Sequence, residues 1–238
     1  MIIKKLFTTF CLGTTLLLAN QLSEKDIDTI KNKFPFVFQN PQVIVKKGFT
    51  NGNLQMLDAT IQGNPAIIYY SKIDDKLIFG DIYDTNANKL RLPIDTKILE
   101  TGVVNTYGTG KKILYVVTDL ECPYCKRLEN KFDDNFFKEY TVKTIFYPLS
   151  FHANAKQMSL YVLAAKTPKE FHDRMKQTLN GSLAYKSFTP NEKERTQLET
   201  KLNLSIQAAN ELKVQGTPSV FDENLNPFNY SFLFPKIN

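Results

Sequence analysis

One tetrapeptide constrains this chain more than any other feature. Cys122-Pro123-Tyr124-Cys125 follows the apolar run Ile113-Leu114-Tyr115-Val116-Val117 and opens an amphipathic stretch containing Leu128, Phe132 and Phe136. Two thiols three residues apart, at the point where strand-like spacing gives way to helical spacing, have the layout of a dithiol redox centre. The reactive form of cysteine is the thiolate, and a helix N-terminus favours it through unpaired N–H groups and the macrodipole. Cys122 takes that place. Pro123 suits the first helical position, whose N–H has no intrahelical partner. Cys125 follows nearly one turn later on the same side of the helix, deeper and less exposed. Cys122 is therefore expected to exchange with an incoming sulfur to form a mixed disulfide, and Cys125 to resolve it. Pro123 and Tyr124 tune the reduction potential. Tyr124 brings no positive charge, so a moderately oxidising centre is expected.

The competing readings of the tetrapeptide are a zinc half-site and an inert structural disulfide. Zinc needs four ligands, and the other candidates, His152 and His172, are not paired at ligand spacing. No metal and no cofactor are expected. Gly216-Thr217-Pro218 lies some 90 residues further on, just before a short apolar strand pattern. An X-Pro bond is cis in only ~5–6% of cases, and the plain reading is a trans proline ending a loop; similarity to thioredoxin-like folds, in which a cis proline faces the dithiol and the residue before it pairs with substrate backbone, makes Thr217 and Pro218 the candidate substrate-binding pair. Asp119, three residues before Cys122, reads either as a proton shuttle for Cys125 or as a turn residue. Glu121 reads as a turn or cap. His152 reads as a solvated loop residue near the active face, and His172 as surface.

The N-terminus has the pattern of a secretory signal peptide: Lys4 and Lys5, an apolar stretch from Leu6 to Leu18, and Ala19 at a cleavage position. The apolar run falls short of the ~20 residues that a membrane span needs. An uncleaved anchor is the competing reading. Removing residues 1–19 takes away Cys11, one of three cysteines, and leaves 219 residues whose two thiols both belong to the tetrapeptide. Export to an oxidising compartment, the periplasm, then implies a core that folds without structural disulfides. The formal charge of +6 loses Lys4 and Lys5 and becomes +4, too small and dispersed to imply a nucleic-acid partner.

The mature chain reads as two α+β domains. Residues 20–92 begin with a helix signal, in which Ser23 and Asp26 form a cap and Ile27, Ile30 and Phe34 recur at helical spacing. An antiparallel meander follows, with turns at Asn51-Gly52 and Asp74-Asp75. Such a unit buries little apolar surface alone; pairing of two copies through an exposed strand edge would relieve that, and packing on the second domain of the same chain is the competing reading. Residues 93–110 read as a linker, with a short helix over Thr96–Val104 and a flexible junction at Gly108, Thr109 and Gly110. Residues 111–238 alternate strand and helix patterns. The strands are expected at Lys112–Thr118, Thr141–Tyr147, Ser219–Phe221 and near Phe228–Phe232, and the helices at 154–165, 168–179, 190–202 and 205–212. This is the element order of a thioredoxin core carrying a helical insertion.

The segment Tyr115-Val116-Val117-Thr118-Asp119-Leu120-Glu121-Cys122-Pro123-Tyr124-Cys125-Lys126, with Gly216-Thr217-Pro218 and Lys76-Leu77-Ile78-Phe79-Gly80-Asp81-Ile82-Tyr83-Asp84, resembles the DsbC/DsbG family of periplasmic thiol:disulfide interchange proteins. The Cys-Pro-Tyr-Cys form is closer to DsbG. The resemblance implies an N-terminal cystatin-like dimerisation domain, a helical linker, and a C-terminal thioredoxin-fold domain with a helical insertion. It also implies a V-shaped homodimer whose uncharged cleft holds unfolded or misoxidised exported proteins. The implied activity is disulfide isomerase or reductase, kept reduced by a DsbD-type partner. A dimeric oxidase recharged by a DsbB-type partner and a holdase chaperone are the alternatives. Two departures stand out: the linker is short and carries Gly102, Gly108 and Gly110, and the catalytic domain lacks a structural disulfide.

Overall fold

A computed structural model of the chain describes residues 20–85 and 89–234. The expected signal segment and Cys11 lie outside the described residues. The chain divides into two compact units, with the division at Pro93/Ile94.

The first unit begins with β1 (Asn20–Gln21) and α1 (Glu24–Lys33), and α1 starts on the expected capping box between Ser23 and Asp26. A single turn, α2 (Pro35–Phe38), leads into β2 (Val43–Asn51), β3 (Leu54–Ile61), β4 (Asn64–Ser71) and β5 (Lys76–Phe79). These strands form one antiparallel sheet in sequential order, β1 to β5. Two-residue turns at Gly52-Asn53 and Gln62-Gly63 close its hairpins, and Gly52, Gln62 and Gly63 adopt the positive φ such turns require. Strand period two gives the sheet two apolar faces. Leu57, Ala59, Ile68 and Tyr70 pack with Leu22 and Ile30 beneath α1. Phe49, Met56 and Tyr69 pack with Ile82, Leu90 and Leu92 on the opposite face. At the edge strand β5, Ile78 and Phe79 stay exposed.

The second unit runs through α3 (Thr96–Thr101), β6 (Asn105–Tyr107), β7 (Lys112–Thr118), α4 (Pro123–Glu129), α5 (Asp134–Glu139), β8 (Tyr140–Phe146), α6 (Ala155–Leu163), α7 (Pro168–Leu179), α8 (Glu192–Glu211) and β9 (Ser219–Phe221). Its sheet has the order β6-β8-β7-β9; β7 and β8 are parallel and both edge strands antiparallel. α4 and α5 cover one face through Leu128, Phe132, Phe136 and Phe137. α3 and α8 cover the other through Leu99, Ala208, Ala209 and Leu212. α6 and α7 form the insertion, and their apolar stripes meet α4 at Cys125. The two helical patterns expected at 190–202 and 205–212 are one 20-residue helix. Asn203 and Leu204 between them are tolerated in a helix interior, so nothing there breaks it. The strand expected near Phe228 is reduced to one bridge, Phe221 to Pro227, followed by a 3-10 turn at Ser231–Leu233. Pro227 lacks the N–H needed to continue a ladder.

The segment expected as a linker carries α3 and β6, both built into the second unit. Its glycines mark close packing where flexibility was expected. A Cβ at Gly102 would lie 2.3 Å from Ala208 Cβ and 2.5 Å from the Leu204 carbonyl oxygen, and one at Gly110 would lie 1.9 Å from the Glu139 carbonyl carbon. Gly102→Ala must therefore push α3 away from α8 and is expected to cost about 1–3 kcal/mol, measured as a lower midpoint in urea unfolding.

Candidate redox site

The site forms where β7 ends and α4 begins. Cys122 is the N-cap residue of α4, in extended conformation, and Pro123 fills the first helical position. The Cys122 thiol donates to the Thr217 carbonyl at 3.4 Å. The Thr217–Pro218 peptide is cis. Cys125 has no exposed surface, whereas Cys122 retains 5%. The two sulfurs are unbonded thiols. Tyr124 stands exposed, with the Arg127 guanidinium 4.5 Å from the centre of its ring.

Cys125 lies in a pocket of weak donors. Burial pushes its thiol up to about 12, against the pull of the Thr118 hydroxyl, the Asp119 N–H and the Thr217 hydroxyl, while neighbouring Cys122 adds to the rise. The Asp119 N–H donates to Cys125 Sγ at 3.3 Å. Neither Thr118 nor Thr217 has a conventional hydrogen-bond partner for its buried hydroxyl oxygen. The Tyr230 phenol is raised by burial and then by the charges of Cys125 and Cys122, which places it within electrostatic reach of both sulfurs.

Asp119 is fully engaged. Its Oδ1 accepts from the Glu121 N–H at 2.8 Å, and its Oδ2 accepts from the Leu149 N–H at 2.7 Å and from His152 Nδ1 at 2.9 Å. Glu121 accepts from the backbone and side chain of Asn154 at 2.6 and 2.9 Å, and so caps the residue that opens α6. These two acids tie the loop 148–154 to the turn before Cys122. His152, expected in solvent, is the partner of a buried carboxylate. His172, expected on the surface, is half-buried and lies flat on the Tyr107 ring at 4.3 Å. Among the described residues, no group of three or more His, Cys, Asp or Glu is arranged to hold a metal ion, and no helix is long and apolar enough to cross a membrane.

Sequence reasoning missed Thr118, Tyr230 and Glu129. The pattern held a trace of Thr118, a hydroxyl closing an otherwise apolar strand. Nothing local marks the other two, whose positions depend on which segments fold back onto α4. Glu129 is the last residue of α4, buried, with Oε1 unpartnered. Burial pushes its carboxyl up to about 8, and Lys176 on α7 pulls the other way.

Residues 99–224, just over half of the chain, match the family model described as a thioredoxin-like domain. No curated protein matches the chain. Among solved structures, ScsC from Proteus mirabilis in a compact conformation is similar at 20% identity, with 55% of this chain and 68% of that chain covered and a TM-score of 0.42. The thiol-disulfide exchange protein alpha-DsbA2 from Wolbachia pipientis is similar at 15% identity, with coverages of 57% and 91% and a TM-score of 0.41. DsbG from Helicobacter pylori is similar at 14% identity, with coverages of 84% and 100% and a TM-score of 0.41.

The protonation of Glu129 carries a pH signature. Between the ordinary carboxylate range and about 8, the folded chain holds a proton that the unfolded chain has released, so stability falls as pH rises through that window. Glu129→Gln removes this loss. Urea unfolding is expected to find the variant more stable than the parent at pH 9, with the difference closing at pH 5.

Proposed function

The chain belongs to the thioredoxin-like domain family, and we propose that it is a thiol:disulfide oxidoreductase of exported proteins, acting chiefly as isomerase and reductase. The observation that carries this reading is the meeting of Cys122 at the start of α4 with the Thr217 carbonyl beside a cis proline, above a fully buried Cys125. A client chain that pairs its backbone with Thr217 presents its sulfur to Cys122.

The chemistry follows from the two environments. The Cys122 thiolate attacks one sulfur of a client disulfide. The Cys122–client bond forms, the client S–S bond breaks, and the second client sulfur leaves as thiolate, taking a proton from solvent. If another client thiolate attacks the mixed disulfide, Cys122 is released and the client disulfide has moved, which is isomerisation. If Cys125 loses its proton and attacks Cys122 Sγ, the Cys122–Cys125 disulfide forms and the client leaves as thiol, reduced by two electrons. The high thiol value of Cys125 delays this second route and leaves time for the first. The Asp119 N–H and the hydroxyls of Thr118 and Thr217 stabilise the Cys125 sulfur as it becomes negative, while the carboxylate of Asp119 holds the turn.

In this reading the five-stranded unit supports self-association, with Ile78 and Phe79 on its exposed edge strand as the apolar contact. Residues 1–19 direct export to the periplasm. A DsbD-type reductase returns the oxidised pair to thiols.

Cys125→Ser is expected to accumulate mixed disulfides with clients, seen as reductant-sensitive bands on non-reducing gels. Cys122→Ala is expected to form none and to lose activity on a scrambled disulfide protein. Thiol trapping in cells distinguishes the directions: reduced cysteines accord with isomerase and reductase, whereas a fully oxidised pair would assign the chain to oxidation with a DsbB-type partner. Retention of activity by Cys122→Ala would overturn the reading.

A further inference from the structure

After β9 the chain turns and comes back beside it. The Asp222 N–H donates to the Asn226 carbonyl at 2.9 Å, Phe221 bridges Pro227, and the Phe228 N–H donates to the Val220 carbonyl at 2.8 Å. On that antiparallel register Tyr230 comes level with Pro218, next to the Thr217 carbonyl that accepts from the Cys122 thiol. Phe228 and Tyr230, two residues apart, pack on the same cluster as Leu128 of α4, so the return puts the Tyr230 ring on the face of the sheet that α4 covers. The ring is half-buried, and no described residue hydrogen-bonds its hydroxyl.

The two sulfurs differ in what would meet a negative charge. Cys125 is served by the Asp119 N–H and by the hydroxyls of Thr118 and Thr217. Cys122 has the amides that open α4 and, on its other side, the Thr217 carbonyl at 3.4 Å. That oxygen accepts from the thiol but repels the thiolate, because both are then electron-rich. Ionisation thus leaves Cys122 short of a donor, and a phenol with a free O–H stands level with the residue beside that carbonyl. Resting on the redox reading above, we propose that Tyr230 is a further catalytic residue, whose O–H donates to the Cys122 sulfur whenever that sulfur is negative. In the attack, an electron pair of the Cys122 thiolate forms the bond to one client sulfur. The client S–S bond breaks, and its second sulfur leaves with the bonding pair and takes a proton from solvent. When a client thiolate displaces Cys122 again, the Cys122–client bond breaks onto Cys122, and the phenol receives the returning charge. Tyr230 keeps its own proton throughout, because burial and then the charges of Cys125 and Cys122 push the phenol up.

The test follows iodoacetamide alkylation of the reduced full-length chain against pH, and its reaction with oxidised glutathione, each read at Cys122 by peptide mass spectrometry. Tyr230→Phe keeps the ring and leaves no partner unpaired, so the fold should persist. Its alkylation midpoint should rise by about one unit, the scale of one hydrogen bond to a charged group. Well below the midpoint the glutathione reaction should slow about threefold, since ~tenfold less thiolate is partly offset by a more basic nucleophile. Tyr107→Phe, which removes a phenol from β6 where it pairs with Val142, should match the parent. The converse reading is the tyrosinate absorbance lost in Tyr230→Phe, which should titrate at lower pH when both chains also carry Cys122→Ala. A parent that reacts with glutathione, combined with an unmoved midpoint in Tyr230→Phe or a Tyr230 titration indifferent to Cys122→Ala, would overturn this inference alone. A parent inert to glutathione would overturn the redox reading and this inference with it.

Discussion

The site depends on how Asp119 is held. This residue is buried at the end of β7, and every polar group it owns near the turn is engaged: its N–H reaches Cys125 Sγ, and its carboxylate gathers Glu121, Leu149 and His152. A buried carboxylate is tolerable only when hydrogen-bonded, and the bonds that satisfy this one fix the turn before Cys122 and the loop before α6 together. The turn before Cys122, the Cys125 sulfur and the entry to the helical insertion thus share a single anchor. The carboxylate three residues before the tetrapeptide accepts from three groups that belong to these two segments.

Around the anchor, environments diverge within one helical turn. Cys122 keeps a sliver of exposure and faces a backbone carbonyl, while Cys125 sinks into the apolar seam between α4, α6 and α7 and its thiol is pushed up to about 12. Four residues further along the same helix, Glu129 is forced towards its neutral form in that seam. Residues at i and i+4 share a helix face, so the burial that raises the Cys125 thiol also holds a proton on Glu129. The two shifts have one cause: this face of α4 is shut off from water.

Much of this was legible in residue order. The strand before the tetrapeptide, the helix after it, the capping box at Ser23 and the first hairpin, whose turn falls at Gly52-Asn53, one residue on from the expected Asn51-Gly52, follow from local spacing and turn chemistry, which act over a few residues. Gly102 and Gly110 misled for a physical reason. A glycine that frees the backbone and a glycine that admits a neighbour look the same in a sequence, and only the positions of Leu204, Ala208 and Glu139 show which is meant. His152 and His172 misled similarly, since a histidine beside charged or loop residues gives no sign of a buried carboxylate or a tyrosine ring 33 or 65 positions away.

Sequence alone determined that two thiols sit at a strand-to-helix junction, and that a Thr-Pro pair follows at a distance suited to meeting them. The junction rests on short-range forces, propensity, capping and the fixed φ of proline, whereas the contact of Cys122 with Thr217 spans 95 positions and belongs to the packed chain. Tertiary structure decided how completely Cys125 is buried, which groups engage Asp119 and Glu121, and where Glu129 loses water. Desolvation and partner geometry are properties of the packed chain, set by segments that arrive from far along it, and no local pattern of residues encodes them.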